Sequence, residues 1–373
     1  MLEVLPKTWA YKCMRATGIG KKLPMNYTVS VSYNCPSRCK TCNVWKKRAD
    51  DLTLEEWGKV ADSLGRSPYW ITFSGGEPFM RQDIVELITL FYQKCHPAII
   101  NIPTNGILWQ NIVKKAPQIA KCCPDAEVVI NLSLDQCGEK HEKIRGVPKN
   151  WELSMKAWKG LKEAKRRLKL KNLTLGIHTV ISNFNVKDFP EFHQELLKLK
   201  PDSYITEIAE ERVELDTKGT NITPNYADYS RAIDSLLADM RRMFKEKKYK
   251  GVAKVAAAFR IQYYENVKKW LKEKRQVIPC YAGWASGHIA PDGDVWTCCT
   301  RAEPIGNLRQ SGYDLRPIWT GERAQALRAS IRRRECWCPM ANAAYTNMLL
   351  HPGSLFDVVR MLATRNAVLG GRA

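Results

Sequence analysis

Six short runs rich in β-branched and aromatic residues constrain the fold of this chain more than any other feature. The runs cover residues 27–33, 69–74, 98–103, 127–134, 173–181 and 203–209. A segment with the signals of an amphipathic helix separates each run from the next, and a capping box formed by Thr53 and Glu56 opens the first such segment. Strands that alternate with helices pair in parallel through right-handed crossovers. The pattern therefore predicts an α/β protein whose parallel strands form either a barrel or an open doubly wound sheet.

The composition of the 373 residues is that of a folded globular chain. Hydrophobic residues make up 45% and charged residues 26% of the sequence, which excludes disordered, collagenous and low-complexity classes. The apolar stretches stop well short of the roughly 18 residues that span a bilayer, and no export signal follows Met1. We therefore expect a cytoplasmic protein. The net charge of +21 predicts attraction to phosphates, anionic lipid headgroups or acidic substrates.

The 13 cysteines form two clusters and five scattered positions. Stable disulfides are disfavoured in the cytosol, so clustered thiols indicate metal ligands. The string NCPSRCKTCNVW places Cys35, Cys39 and Cys42 directly after the first strand, at the end where parallel folds carry their chemistry. Three thiolates cannot complete a four-thiolate zinc site, whereas an iron-sulfur cubane held by three cysteines leaves one iron open for another ligand. We predict such a cubane, with incidental thiols as the alternative.

The spacing of these cysteines is the CxxxCxxC motif of the radical S-adenosylmethionine (SAM) superfamily, which the sequence resembles from residue 27 to about residue 209. Further family motifs follow at later strand ends: GGEP, NIPTNG, NLSLDQ and HEKIRG. The resemblance implies a partial (β/α)6 barrel of TIM type, open on one side for large substrates. It also implies that the open iron of a [4Fe-4S] cluster chelates SAM, and that an electron from a donor such as flavodoxin or ferredoxin releases a 5′-deoxyadenosyl radical that abstracts hydrogen from the substrate.

The same resemblance assigns roles to individual residues. Cys35, Cys39 and Cys42 would be the cluster ligands and the catalytic centre. The residues that the resemblance assigns to SAM binding are Gly75, Gly76, Glu77, Pro78, Thr104, Asn105, Ser133, Asp135, Arg145 and Asn183. One departure is visible, because the residue before the third cysteine is Thr41, whereas the family usually has an aromatic residue there. Aromatic packing near the adenine is therefore expected to be weaker or to come from elsewhere.

The second cysteine cluster lies in CYAGWASGHIAPDGDVWTCC and RECWCP. Its Pro-Asp-Gly turn indicates a β-hairpin, and the segment resembles the SPASM or twitch module that follows the barrel in part of the superfamily. The resemblance implies one auxiliary [4Fe-4S] cluster held by Cys280, Cys298, Cys336 and Cys338, with Cys299 as an ambiguous neighbour. A closed structural zinc site is the alternative, because four thiolates also suit zinc.

These patterns divide the chain into five predicted segments. They are an N-terminal extension (1–26), the radical SAM core (27–215), a helical connection (216–279), the SPASM/twitch-like module (280–345) and a helical tail (346–373). Peptide-modifying relatives with such modules often carry a leader-binding domain ahead of the barrel. About 25 residues precede the first strand here, so we do not expect one.

Substrate specificity is expected to come from the barrel mouth. Four residues after the sixth strand are candidates to bind polar substrate groups, with a solvated charged turn as the alternative: Glu207, Glu210, Glu211 and Arg212. Cys137 is a candidate hydrogen-atom donor, although an inert thiol is the simpler interpretation. His178 lies within a strand, which favours a packed core histidine.

We predict an enzyme that acts on an anionic small molecule such as a lipid, an isoprenoid or a phosphorylated sugar. Peptide maturation is the alternative, because many proteins with such modules act on peptides. A non-catalytic, metal-bearing nucleic-acid-binding protein is a third hypothesis, but the sequence lacks clustered aromatic and basic motifs. Residues 1–22 and 354–373 mix apolar and basic residues, which predicts either peripheral contact with an anionic membrane or ordinary packing helices.

Overall fold

The computed structural model describes residues 4–18, 22–246, 248–249 and 251–363. Within these residues a nine-stranded sheet has the order β6-β5-β4-β3-β2-β1-β7-β8-β9. Its strands are β1 Asn26–Ser32, β2 Trp70–Gly75, β3 Ile99–Thr104, β4 Glu127–Ser133, β5 Leu173–Ile181, β6 Ser203–Ile208, β7 Ser286–Ile289, β8 Asp294–Trp296 and β9 Pro304–Asn307.

Helices connect the strands and cover the sheet. They are α1 Val4–Thr17, α2 Leu54–Leu64, α3 Ile84–Cys95, α4 Trp109–Cys122, α5 Gly138–Arg145, α6 Asn150–Arg167, α7 Phe189–Leu197, α8 Tyr226–Lys245, α9 Gly251–Glu273, α10 Leu315–Thr320, α11 Glu322–Arg332, α12 Ala341–Leu350 and α13 Pro352–Ala363. The predicted capping box begins α2, where Thr53 and Glu56 each accept a hydrogen bond from the other's main-chain amide. The apolar faces of these helices pack on the outer face of the sheet, around buried residues such as Trp57 and Phe91.

The six predicted strands are confirmed as β1 to β6, each within one residue of its predicted ends. Every neighbouring pair among them is parallel. Their spatial order follows the chain order without the reversal that a doubly wound sheet has at its centre. β6 does not pair with β1, so the strands form a partial (β/α)6 barrel that stays open.

The Cys-rich module continues the same sheet. β7 pairs in parallel with the free edge of β1, from Asn26 opposite Ser286 to Val29 opposite Ile289. β8 and β9 then add antiparallel strands through the predicted hairpin. The module, which was predicted to follow the barrel, has its first strand hydrogen-bonded into the barrel sheet. The boundaries of the five predicted segments stay a prediction.

A small second core lies beneath the second cysteine cluster and brings α1 to it. Tyr11 of α1 packs there with Tyr281 and Trp284, and Arg15 donates a hydrogen bond from Nε to the carbonyl of Cys280 at 2.8 Å. The described part of the N-terminal segment is therefore a packing helix against the module. Residues 364–373 of the predicted membrane-contact segment lie outside the described residues.

None of the described helices combines the length and the hydrophobicity that a membrane span requires.

Candidate active site

A cavity of about 930 Å³ runs along the inside of the partial barrel. Each of the six parallel strands contributes at least one residue to its wall, for example Thr28, Thr72, Asn101, Asn131, His178 and Ile205. Residues of α9 and α12 line the opposite side, among them Phe259 and Tyr345. The two helices thus cover the side where the strands do not close.

The three cysteines of the first cluster all line this cavity. Their loop is held by main-chain hydrogen bonds from Arg38 to the carbonyl of Arg145 and from Lys40 to the carbonyl of Ile144, both 2.9 Å long. A third bond of 2.9 Å joins the amide of Asn43 to the carbonyl of Leu215. The loop is therefore fixed on one side by the end of α5 and on the other by the segment after β6.

The donor set of this loop fits an iron-sulfur cubane better than a single zinc ion. Among the described residues, only Glu214, His288 and Cys299 bring three possible ligand atoms within 4.8 Å of one another, so the sulfurs of Cys35, Cys39 and Cys42 are spread more widely. Four zinc–sulfur bonds of 2.3 Å would hold the sulfurs about 3.8 Å apart. Burial raises the pKa of Cys35 to about 11 and that of Cys42 to about 12, so these thiols need a metal centre to ionise.

The glycines of the GGEP motif let β2 end against the cysteine loop. A Cβ atom on Gly76 would lie 2.2 Å from the carbonyl oxygen of Asn34, and one on Gly75, whose φ is +109°, would lie 2.2 Å from that of Ser32. No side chain fits at either position, because the obstacle is main chain. Sequence reasoning assigned these glycines to close approach of SAM, whereas the structure gives them a packing role in the loop itself.

Glu77 joins the GGEP turn to the end of β3. Its carboxylate accepts hydrogen bonds from the hydroxyl of Thr104 at 2.8 Å and from the amide of Asn105 at 2.7 Å. Burial raises the pKa of Glu77 to about 7, although these hydrogen bonds stabilise the ionised carboxylate and oppose the increase. The side chain of Asn105 in turn reaches 3.7 Å from the sulfur of Cys35.

The HEKIRG motif ties the loop after β4 to the cysteines. Arg145 forms an ion pair with Asp135 and places Nη1 3.8 Å from the sulfur of Cys39. His141 accepts a hydrogen bond from the amide of Asp135 and contacts the side chain of Asn150. Burial lowers the pKa of His141 to about 4, which keeps the imidazole neutral.

The residues that were assigned to SAM binding divide into two groups. Seven of them line the cavity: Gly75, Gly76, Glu77, Thr104, Asn105, Ser133 and Arg145. Pro78 instead is buried at the start of the 3₁₀ turn Pro78–Met80, and Asp135 pairs with Arg145. The structure corrects the prediction for Asn183, which is exposed and donates hydrogen bonds to the carbonyls of Asn221 and Thr223. Asn183 holds a loop outside the cavity because the chain turns away after β5.

The second cysteine cluster gathers beside the cavity. Burial raises the pKa of each of its four predicted ligand thiols, and the thiols also act on one another. These thiols belong to Cys280, Cys298, Cys336 and Cys338. Like the first cluster, no three of these sulfurs lie within 4.8 Å of one another in the described structure, which again fits a cluster rather than one zinc ion. Cys299 differs from them because it lines the cavity.

The charged turn after β6 contributes to the cavity wall. Glu207, Glu210 and Arg212 line the cavity, and Nη2 of Arg212 lies 3.1 Å from Oε2 of Glu210. Burial raises the pKa of Glu210 to about 7, although the charge of Arg212 opposes this. Glu211 instead accepts hydrogen bonds from the amides of Gly219 and Asn221. For this residue the structure favours the alternative prediction of a charged surface turn over substrate binding.

Sequence reasoning missed several residues of the wall. His178 was interpreted as a core residue, but it lines the cavity with Nε2 3.6 Å from Glu207. The two-residue period of β5 could have indicated this, because Val180 also faces the cavity. Trp45 lines the cavity near the cysteines and stacks under Arg38. Cys137 packs against the hydrophobic core, in agreement with an inert thiol.

Two family models match this chain. The model of the radical SAM superfamily matches residues 29–196, and the model of SPASM, an iron-sulfur cluster-binding domain, matches residues 280–339. The two matches cover the partial barrel up to α7 and the Cys-rich module.

Curated relatives match part of the barrel. Fe-coproporphyrin III synthase of Methanosarcina barkeri is 28% identical over 167 residues, which are 43% of this chain and 38% of the relative. PqqA peptide cyclase of Granulibacter bethesdensis is 27% identical over 172 residues, or 45% of this chain and 42% of the relative. The matched part of this chain thus spans about two fifths of the length of these relatives.

Two solved structures have the same fold over most of the chain. Streptococcus suis SuiB bound to precursor peptide SuiA has a TM-score of 0.59 at 15% identity and covers 88% of this chain and 72% of SuiB. Native anSMEcpe with bound AdoMet and Kp18Cys peptide has a TM-score of 0.60 at 13% identity and covers 93% of this chain and 100% of anSMEcpe. The solved structures share the fold of this chain, and the two domain matches show that it contains a radical SAM domain, which implies SAM and a [4Fe-4S] cluster, and a C-terminal SPASM iron-sulfur domain.

Proposed function

We propose that this radical SAM enzyme modifies a peptide. The balance of charges around the cavity carries the proposal. Nine charged side chains line it, and the carboxylates outnumber the guanidiniums: Glu77, Glu127, Asp202, Glu207, Glu210 and Glu214 against Arg145, Arg212 and Arg260. The net charge of +21 therefore resides outside the cavity.

This balance weighs against an anionic small-molecule substrate. Burial raises the pKa of Glu77 and of Glu210 to about 7. Glu127 and Asp202 are exposed, and Asp202 pairs with Lys165. Nearer the cysteines, Arg145 pairs with Asp135, and Arg212 pairs with Glu207 and Glu210. A phosphorylated sugar or isoprenoid would therefore find little unpaired positive charge in the cavity. A peptide whose reacting residue is neutral or basic does not need such charge.

Polar atoms of the wall also suit a peptide. Asn131, His178 and Arg212 line the cavity with side chains that can donate or accept hydrogen bonds. A peptide group both donates and accepts hydrogen bonds and can satisfy this mixed set.

The names of the similar proteins support peptides in part. PqqA peptide cyclase carries a peptide in its name, and SuiB and anSMEcpe were solved with peptides. Fe-coproporphyrin III synthase carries a tetrapyrrole in its name, so the names alone do not choose between the two substrate classes. The charges around the cavity support the peptide class.

Each group of residues has a proposed role in this function. Cys35, Cys39 and Cys42 would hold the [4Fe-4S] cluster, which together with SAM supplies a 5′-deoxyadenosyl radical. The seven cavity-lining residues of the family motifs would form the walls of the SAM site, and Trp45 would provide the aromatic face that Thr41 lacks. Glu207, Glu210 and Arg212 would orient the peptide. Cys280, Cys298, Cys336 and Cys338 would hold one auxiliary cluster, with flavodoxin or ferredoxin as electron donor.

A comparison of substrate classes tests the proposal. The reconstituted enzyme is incubated anaerobically with SAM and dithionite in D₂O, either with a library of synthetic peptides or with isoprenyl diphosphates and sugar phosphates. We expect peptides to stimulate 5′-deoxyadenosine formation and to change in mass, and the anionic compounds to leave formation at its background rate. Stimulation by the anionic compounds alone would overturn the proposal.

A further inference from the structure

Three buried side chains of different chemistry meet at the cavity wall between the two cysteine clusters. Glu214 follows the charged turn after β6, His288 lies on β7, and Cys299 follows the second-cluster residue Cys298. Their relative exposures are 8%, 1% and 4%. One ligand atom from each lies within 4.8 Å of the other two. Burying an ionisable group costs free energy unless the group is paired or binds a metal. A bound metal ion would offset this cost for all three side chains.

Two of the distances between these atoms lie close to those around a tetrahedral ion. Nδ1 of His288 lies 3.2 Å from the sulfur of Cys299 and 3.9 Å from Oε1 of Glu214. Zinc bonds of 2.0–2.2 Å to nitrogen and oxygen and 2.3 Å to sulfur hold such atoms about 3.3–3.6 Å apart. The nitrogen–sulfur distance is thus slightly shorter, and the nitrogen–oxygen distance slightly longer, than around a bound zinc ion, and shifts of a few tenths of an ångström would correct both.

His288 is held in the orientation that a metal ligand requires. Its Nε2 lies 3.0 Å from the hydroxyl of Ser30 on β1, and its ring stacks on Trp296 with centroids 4.5 Å apart. A proton on Nε2 that is donated to Ser30 leaves the lone pair of Nδ1 facing Cys299 and Glu214. Metal-binding histidines are commonly fixed in this way through their other nitrogen.

The local charges leave room for a divalent cation. Three carboxylates lie near the site, those of Glu207, Glu210 and Glu214. The facing cations are Arg212, which pairs with Glu207 and Glu210, and Lys47, whose ammonium donates to the carbonyls of Val213 and Glu214. The cations do not outnumber the carboxylates, so no excess of positive charge opposes the binding of a divalent cation.

We infer that Glu214, His288 and Cys299 form a zinc site separate from both iron-sulfur clusters. Mixed nitrogen, oxygen and sulfur donors suit zinc. Three protein ligands leave the fourth position open, as in catalytic zinc sites. Glu214 and Cys299 both line the cavity, so the open position is accessible to water or to a carbonyl, carboxylate or thiolate group of the substrate. The inference does not depend on whether that substrate is a peptide.

Metal analysis and zinc-edge X-ray absorption of the anaerobic holoenzyme test the inference. We expect about one zinc per chain beyond the iron of the clusters, with one sulfur neighbour near 2.3 Å and the remaining neighbours nitrogen or oxygen at about 2.0–2.1 Å. Zinc bound in either cysteine cluster would show three or four sulfur neighbours. That spectrum, or a protein that binds no zinc after a chelator wash and zinc addition, overturns the inference.

Substitutions assign the site to these residues. Glu214→Gln, His288→Gln and Cys299→Ser should each lose zinc while iron and sulfide stay at native levels. Ser30→Ala should retain the ligands but weaken zinc binding by about 10–100-fold, because it removes the support of His288. Cys122→Ser and His193→Gln are matched controls, since Cys122 is exposed and His193 pairs with Asp239. Zinc retention in the ligand variants, or loss of iron in Cys299→Ser, contradicts the assignment.

Discussion

Nε of Arg145 lies 2.9 Å from the carboxylate of Asp135, and both side chains are buried, with 11% and 1% of their surfaces exposed. The other carboxylate oxygen of Asp135 accepts a hydrogen bond of 2.8 Å from the amide of Val180 on β5. Arg145 also reaches the sulfur of Cys39. This ion pair therefore links the loop after β4, the strand β5 and the cysteine loop.

Asp135→Asn should strongly destabilise the protein, because it leaves the charge of Arg145 buried without its partner. Removing one member of a buried pair costs about 3–5 kcal/mol, measurable as the free energy of unfolding in anaerobic urea titrations. Glu152→Gln is the control, since its pair with Lys156 is exposed and is worth under about 1 kcal/mol. Equal losses in the two variants would contradict the role of Asp135.

Gly76→Ala should disrupt the cysteine loop. Its new Cβ would lie 2.2 Å from the carbonyl oxygen of Asn34, so the main chain just before Cys35 must move. We expect the variant to fold with less cluster iron than the native protein, and to lose at least about 2 kcal/mol of unfolding free energy, as overpacked sites do. Gly58→Ala in α2 meets only a side-chain carbon at 3.4 Å and should be neutral or stabilising. A Gly76→Ala variant with native iron content would disprove the packing role.

The two cysteine clusters should be separable by substitution. If each holds one four-iron cluster, Cys39→Ser and Cys298→Ser should each lower the iron content from about eight to about four per chain. Only Cys39→Ser should abolish SAM cleavage, measured as 5′-deoxyadenosine formation with dithionite. Cys122→Ser, at an exposed thiol, should match the native protein. SAM cleavage that survives in Cys39→Ser would refute the ligand assignment of the first cluster.

The sequence predicted the barrel well because its strands carry a local signal. A parallel strand covered on both faces is rich in β-branched and apolar residues, as in 127–133, where five of seven residues are buried. β7 gave no such signal. It is the four-residue segment Ser286–Ile289, and its pairing with β1 joins residues that are about 260 positions apart. Only tertiary structure decides that the module extends the barrel sheet.

The parts of the site that are contiguous motifs after a strand could be predicted from the sequence. Residues whose place in the site depends on the direction of the side chain could not. The cysteine loop and the GGEP turn were found because their residues are contiguous. His178 and Asn183 were misinterpreted because the cavity face of β5 and the loop at Asn221 decide where they point. The excess of carboxylates in the cavity was also hidden, because its members come from distant segments of a basic chain.

His141 should make the stability of the protein depend on pH. Its Nδ1 accepts the amide proton of Asp135 and its Nε2 lies 3.0 Å from Oδ1 of Asn150, an arrangement that needs a neutral ring with its proton on Nε2. Burial lowers the pKa of His141 from 6.5 to about 4. The unfolded chain therefore binds a proton between these values that the folded protein does not. Stability is complete above pH 6.5 and decreases as the pH falls toward 4.

At pH 5 this effect should cost the native protein about 2 kcal/mol relative to pH 7.5. His141→Gln keeps groups that can accept from Asp135 and donate to Asn150 but cannot titrate. Between pH 7.5 and pH 5, the unfolding free energy of His141→Gln should therefore decrease by about 2 kcal/mol less than that of the native protein. Urea titrations of both proteins under argon at the two pH values measure the difference, and His96→Gln, at an exposed histidine, serves as the control. Parallel pH profiles for the native protein and His141→Gln would contradict the lowered pKa of His141 in the folded protein.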